Sequence, residues 1–238
     1  MMSEKKTGCN RKSYIGIAVM AGLVILGAFI YKGMESIANR DQYVTVKGLA
    51  ERDVMANKVV WPLPYKCVSN NMQELYSSIE KNKSIILAFL KDNAITDKEI
   101  IISAPSVTDR LAQSYIPDNI KFRYQAEAVI TVISPQVEKV IELMGRQIEL
   151  MKEGVIISDE YNYQTQFEYT ALNDIKPAMV EEATRNARAV AQKFAEDSES
   201  KLGKIKQASQ GQFSISSDET TPQIKNIRVV TTVKYALE

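Results

Sequence analysis

Apolar and small residues recur at spacings of three and four through residues 174–203, at Val180, Ala183, Ala187, Val190, Ala191 and Phe194. That spacing predicts a helix with one buried stripe. Glu181, Glu182, Arg185, Arg188, Gln192, Lys193 and Glu196 occupy the opposite face, with Glu181 four residues ahead of Arg185 in the favourable order. The alanines allow a close approach to the support, and the flanking strand-like segments make that support a sheet. Asn173 or Asp174 is placed to cap the first turn, Pro177 is tolerated within it, and Gly203 is placed to end the helix.

A different pattern opens the chain. Residues 14–31, YIGIAVMAGLVILGAFIY, are 18 positions without a charge, which as a helix cover about 27 Å of a bilayer core. Lys5, Lys6, Arg11 and Lys12 precede this run against Glu4 alone, while Lys32, Glu35, Arg40 and Asp41 balance beyond it. The positive-inside rule therefore keeps the amino terminus in the cytoplasm and puts the bulk of the chain outside. The expected division is a cytoplasmic segment 1–13, a transmembrane anchor 14–31, a linker 32–42 and an extracytoplasmic α+β domain 43–238. A cleaved signal peptide is the competing reading, but no clear small-x-small site follows the run. Cys9 precedes the run, unlike a lipoprotein cysteine. Ala18 and Gly22 form a small-xxx-small pair that ordinary membrane-helix composition explains as well.

Beyond the linker, residues 43–48 and 58–69 read as strands. Pro62 and Pro64 in the second cannot donate ladder hydrogen bonds, which points to an edge or a bulge. Trp61 beside them reads as half-buried core, with a contact role as the alternative. Residues 71–91 form a helix with Met72, Leu75, Tyr76, Ile79, Ile86, Leu87 and Leu90 on its apolar face. Two long strands follow at 99–111 and 120–133, turned by a loop at 115–119. A third helix begins after Pro135, buries Val137, Val140, Ile141, Met144, Ile148 and Met151, and stops at Gly154. Short strands at 155–158 and 163–169 bracket Asp159, Glu160 and Asn162, which lack the glycine and the distal acid of a calcium loop and read as a solvated turn. The chain closes with a strand pair at 205–216 and 224–237.

These elements give an α+β fold in which antiparallel strand pairs alternate with three helices. The middle strand-helix-strand-strand-helix-strand portion has the order of a split βαβ unit, and the whole follows one N-terminal transmembrane helix.

Composition narrows the chemistry. The formal charge is +1, which gives no general pull toward nucleic acid. Histidine is absent, removing the usual neutral-pH base and the commonest metal ligand. Cys9 and Cys67 are the only thiols and fall on opposite sides of the expected membrane, so no disulfide framework follows. Cys67 has no basic cluster beside it in sequence and reads as a packed thiol. No catalytic, cofactor-binding or metal-ligating residues are singled out, and no cofactor is expected.

The chain resembles the SIMPL-domain family over residues 43–238. The resemblance is carried by VTVKG at 44–48, EEATRNARAVAQKFA at 181–195, LGKI at 202–205 and VVTTVKYAL at 229–237. Met55, Ala56 and Asn57 stand where family members commonly carry a Pro-Asp pair. The family comprises bacterial periplasmic or membrane-anchored proteins, some described as oxidative-stress defence proteins. It implies an extracytoplasmic α+β domain, assembly into ring-like or channel-like oligomers, and no catalytic residues to carry over.

The expectation is a non-enzymatic, single-pass protein of the bacterial inner membrane, with its main domain periplasmic, acting as a homo-oligomeric assembly or interaction module linked to envelope or oxidative stress. Two alternatives stay open. One is a small-ligand binder using Tyr161, Tyr163 and Tyr169; the other is a hydrolase using carboxylates or Ser and Lys.

Overall fold

The computed structural model describes residues 9–38, 42–113, 120–159 and 161–238. The expected loop at 115–119 and Glu160 lie outside the described residues. Helix α1 runs Cys9–Ala38 and contains the apolar stretch Ile15–Met34, whose side chains are exposed throughout. Its 20 residues correspond to about 30 Å of helix, the thickness of a hydrocarbon core.

The chain divides into two compact units, and β1 (Tyr43–Met55), α5 (Leu172–Asp197) and β9 (Ile224–Leu237) contribute residues to both. The larger unit holds a five-stranded sheet. Strand β2 (Lys58–Ser69) pairs antiparallel with β5 (Tyr124–Ser134) over its whole length apart from Lys58, from Val59 opposite Ser134 to Ser69 opposite Tyr124. Strand β3 (Ile100–Ile102) and strand β4 (Ser106–Asp109) both pair with β5, and β6 (Gln166–Glu168) pairs with β2. The order β3-β5-β2-β6 inserts β5 between β2 and β3, which helix α2 (Met72–Asp92) connects. This is the split βαβ arrangement that the element order implies.

One core fills this unit. Every second residue of β2 is buried, Val59, Trp61, Leu63, Tyr65 and Cys67, and so are Leu75, Ile79, Ile86 and Leu90 of α2. Helix α3 (Val137–Gly145) adds Val137, Val140 and Leu143, and α4 (Ile148–Lys152) adds Leu150. A single third helix is therefore not what forms. After Gly145 the chain breaks and resumes, which shifts the helical phase; Leu143 and Leu150 are buried, while Ile148 and Met151 are exposed. Gly154 does end the second piece, at φ 85°, with Val155 N donating to Leu150 O at 2.9 Å.

Other departures have local causes. The strand expected at 99–111 splits into β3 and β4 with Pro105 between them. At 155–158 only a single bridge forms, between Ile157 and Tyr65. The segment 163–169 reduces to β6, because Tyr161–Tyr163 curls into a 3-10 turn. Strand β2 is paired on both sides rather than at an edge. Pro62 and Pro64 fit because they fall between the β6 pairing, which ends at Val60, and the bridge at Tyr65. There Pro64 turns its carbonyl away from β5 to Ser158 N at 2.8 Å. Trp61 is 2% exposed and packs in the core, which removes it as a surface contact.

In the smaller unit, strands follow the order β1-β9-β7, with β7 at Leu202–Gln210, and α5 lies over one face. The single strand expected at 205–216 is divided into β7 and β8 (Ser214–Ser216), of which β8 pairs with the first part of β9 in the larger unit. The buried stripe of α5 is Met179, Ala183, Ala187, Ala191 and Ala195, at strict spacings of four. Val190 and Phe194 flank it and are exposed, at 42% and 54%. The helix ends at Asp197, not at Gly203. Glu199 takes the left-handed conformation at φ 53°, and Ser200 N reaches back to Ala195 O at 2.9 Å, closing a Schellman turn without glycine. Gly203 lies in β7, where a Cβ would stand 3.1 Å from Ala236 Cβ.

Gly48 of β1 sets how closely α5 approaches. A Cβ at position 48 would overlap the Ala183 carbonyl oxygen and fall 2.8 Å from Ala187 Cβ. Gly48→Ala is expected to cost about 2 kcal/mol in urea denaturation, the overpacking range. Gly145→Ala, with nothing within 4 Å of its new methyl group, serves as the control and should not destabilise.

Candidate functional site

Several of the carboxylates able to carry chemistry are engaged by neighbouring donors. Glu99 is drawn upward in pKa by burial, but hydrogen bonds from Ser134 Oγ (2.5 Å) and from Thr96 outweigh this and hold its carboxyl low. Arg123 grips Asp109 with Nη2 at 2.7 Å from Oδ2 and lowers its pKa. Arg146 does the same for Glu149 at 2.9 Å, as does Lys193 for Glu196 at 3.1 Å. Asp218 is lowered by the Thr220 hydroxyl and backbone N–H. Hydroxyl, backbone and cationic donors thus favour the ionised form of each of these carboxylates.

Cys67 and Tyr65 share the core under α2. Burial pushes the Cys67 thiol pKa up, opposed by a hydrogen bond from Asn82 Nδ2 to Sγ at 3.4 Å. Tyr65, 2% exposed, has its phenol pushed up to about 12 by burial, with the neighbouring Cys67 and Glu80 adding to the effect. Its hydroxyl points to Ile79 O at 3.5 Å. Both groups stay neutral near pH 7 and neither is an activated nucleophile.

The tyrosine segment does not form a single surface. Tyr161 stands in solvent, whereas Tyr163 lines a shallow cleft of about 320 Å3 with Pro62, Pro64, Ile157 and Thr165. Tyr169 follows β6, half-buried. Among the described residues, no group of three or more His, Cys, Asp or Glu is placed to hold a metal ion.

Two surfaces remain. In the larger unit, the first turns of α2 and the β4 edge enclose an apolar cleft of about 440 Å3, lined by Met72, Leu75, Tyr76, Ile79, Pro105 and Val107. Met72 and Tyr76 lie on the periodic face expected to be buried, and the cleft is why they are exposed. Spacing alone gives no sign of it, because its second wall, Pro105 and Val107, comes from a separate element.

In the smaller unit, β1 and β7 form the two edges of their sheet. Val190 and Phe194 stand on the same side of α5 as Asn186, whose Nδ2 donates to the carbonyl of Leu49 on β1 at 2.8 Å. A strand edge with an exposed apolar helix flank beside it is a form that accepts added strands or subunits.

A family model, SIMPL, described as a protein of unknown function (DUF541), matches residues 44–235. Among curated proteins, none matches the chain.

The neutral Tyr65 makes a testable signature. An unfolded tyrosine ionises near pH 10 while Tyr65 holds its proton to about 12. Its contribution to stability is therefore complete below pH 10 and is lost as pH rises from 10 through 12, amounting at most to about 2–3 kcal/mol. Urea denaturation across that window should show the decline, and Tyr65→Phe should flatten most of it.

Proposed function

The chain belongs to the SIMPL family, and from that membership we propose that it is a membrane-anchored protein of the cell envelope, acting as a homo-oligomeric assembly or interaction module without catalytic turnover. The apolar stretch Ile15–Met34 carries the anchored part of this reading. Among the described residues its side chains find no cover, and a bilayer would supply it. With Lys5, Lys6, Arg11 and Lys12 before the stretch, the amino terminus stays in the cytoplasm and the region from Tyr43 onward lies outside.

The assembly part draws support from the sheet edges at β1 and β7 and from the exposed Val190 and Phe194 beside β1. Carboxylates held ionised by arginine, lysine and hydroxyl partners favour a structural over a hydrolytic role. An oxidative-stress role gains nothing from Cys67, which is buried and has a raised pKa. A second reading, binding of a small apolar ligand, is favoured by the cleft between α2 and β4.

Alkaline extraction of membranes tests the anchor. The full-length chain should stay in the pellet through a carbonate wash, and protease added to spheroplasts should degrade the region beyond residue 42. Release as a shortened soluble chain would replace the anchor with a cleaved signal.

A further inference from the structure

Strand β4 leaves one backbone edge open beside the apolar cleft of the larger unit. Arg110 N donates to Arg123 O at 2.9 Å, and the register places Thr108 opposite Gln125 and Ser106 opposite Glu127. Bonded pairs alternate in an antiparallel ladder, so Ser106, Thr108 and Arg110 turn their N–H and C=O groups toward β5, while those of Val107 turn away from it. Among the described residues, β4 pairs with β5 alone. Val107 lies opposite Ala126, and Ala126 opposite Cys67, whose thiol meets Asn82 of α2. The Val107 side chain is therefore on the face that α2 covers, where it lines the cleft with Met72, Leu75, Tyr76 and Ile79.

These two features together specify an occupant. The outward N–H and C=O of Val107 match the backbone of an extended chain, and a strand added there directs every second side chain toward the cleft. None of the side chains lining the cleft is charged. The acid of β4, Asp109, is paired with Arg123 at 2.7 Å, and on α2 Glu80 is paired with Lys83, so neither sign of charge is favoured in what binds. Strand β4 has four residues, about 13 Å of edge, far short of the roughly 20–30 residues a side in a stable interface between globular copies. We propose that β4 and α2 together bind an extended, uncharged segment of a partner protein, which adds a strand at Val107 and seats an apolar side chain in the cleft. This goes beyond the self-association proposed above, since it needs neither the anchor nor the β1 edge.

A bead library of random heptapeptides, probed with the fluorescently labelled full chain in nanodiscs against a background of empty discs, tests this. Enriched peptides should share an apolar residue among uncharged β-formers. In fluorescence anisotropy, N-methylation of successive peptide amides should weaken binding with a period of two, because only alternate amides face β4. Val107→Pro keeps an apolar side chain and the bonds to β5 but removes the outward N–H, and should weaken the peptides about tenfold, the worth of one hydrogen bond. Tyr76→Ser, at an exposed position, should weaken them as well. The methylation series uses the unaltered chain and so decides the matter even where Val107→Pro disturbs the strand. No peptide enriched above the background overturns the docking site. Binding indifferent to methylation overturns strand addition and leaves the cleft to small apolar ligands. Either result leaves self-association standing.

Discussion

Helix α5 rests on β1 with almost no side chain between them, and this contact sets the form of the smaller unit. Ala183 and Ala187 face Gly48, where even a methyl group would collide with helix backbone. The buried set of Val46, Ala187, Ala191, Val233 and Tyr235 assembles around that approach. A contact so short buries little apolar area per residue, so stability there depends on close fit more than on hydrophobic surface. It also leaves no room under the helix for larger residues, and Val190 and Phe194 stand outside it as a consequence.

That consequence explains how much of the fold could be read in advance. Periodicity locates α5 and identifies Ala183, Ala187 and Ala191, but hydrophobicity favours Val190 and Phe194 over Ala195, and packing reverses that preference. The phase change after Gly145 is similar. A helix read as continuous buries Ile148 and Met151, while the broken one buries Leu150; the glycine is the only local sign. The two prolines of β2 announce a missing hydrogen-bond partner correctly, yet the gap is local, between β6 and Ile157, and the strand is central. By contrast β9 matches its expected bounds, because alternation over a long β-branched segment leaves one register with its apolar side inward.

The candidate site was less legible than the fold. The absence of histidine and the scattered acids are plain in the sequence, but the cleft of Met72, Tyr76 and Val107 forms only where α2 and β4 come together in the fold. Lys206 of β7 and Lys234 of β9 meet at the Tyr43 ring of β1, and only the strand order brings these three residues together. Both units thus expose apolar surfaces, at the α2 cleft and at the α5 flank. Family membership and the apolar helix α1 support the proposed setting of these surfaces at a membrane.

Our central proposal is that the protein works through association with copies of itself, with the β1 edge and the Val190 and Phe194 flank as the surface best suited to it. Light scattering coupled to size exclusion, applied to the full chain in detergent with the micelle contribution subtracted, addresses that most directly. The account predicts a defined multiple of the 26.7 kDa chain, reduced toward one chain by Phe194→Asp. A mass of one chain at every concentration would contradict it and turn attention to the apolar cleft of the larger unit.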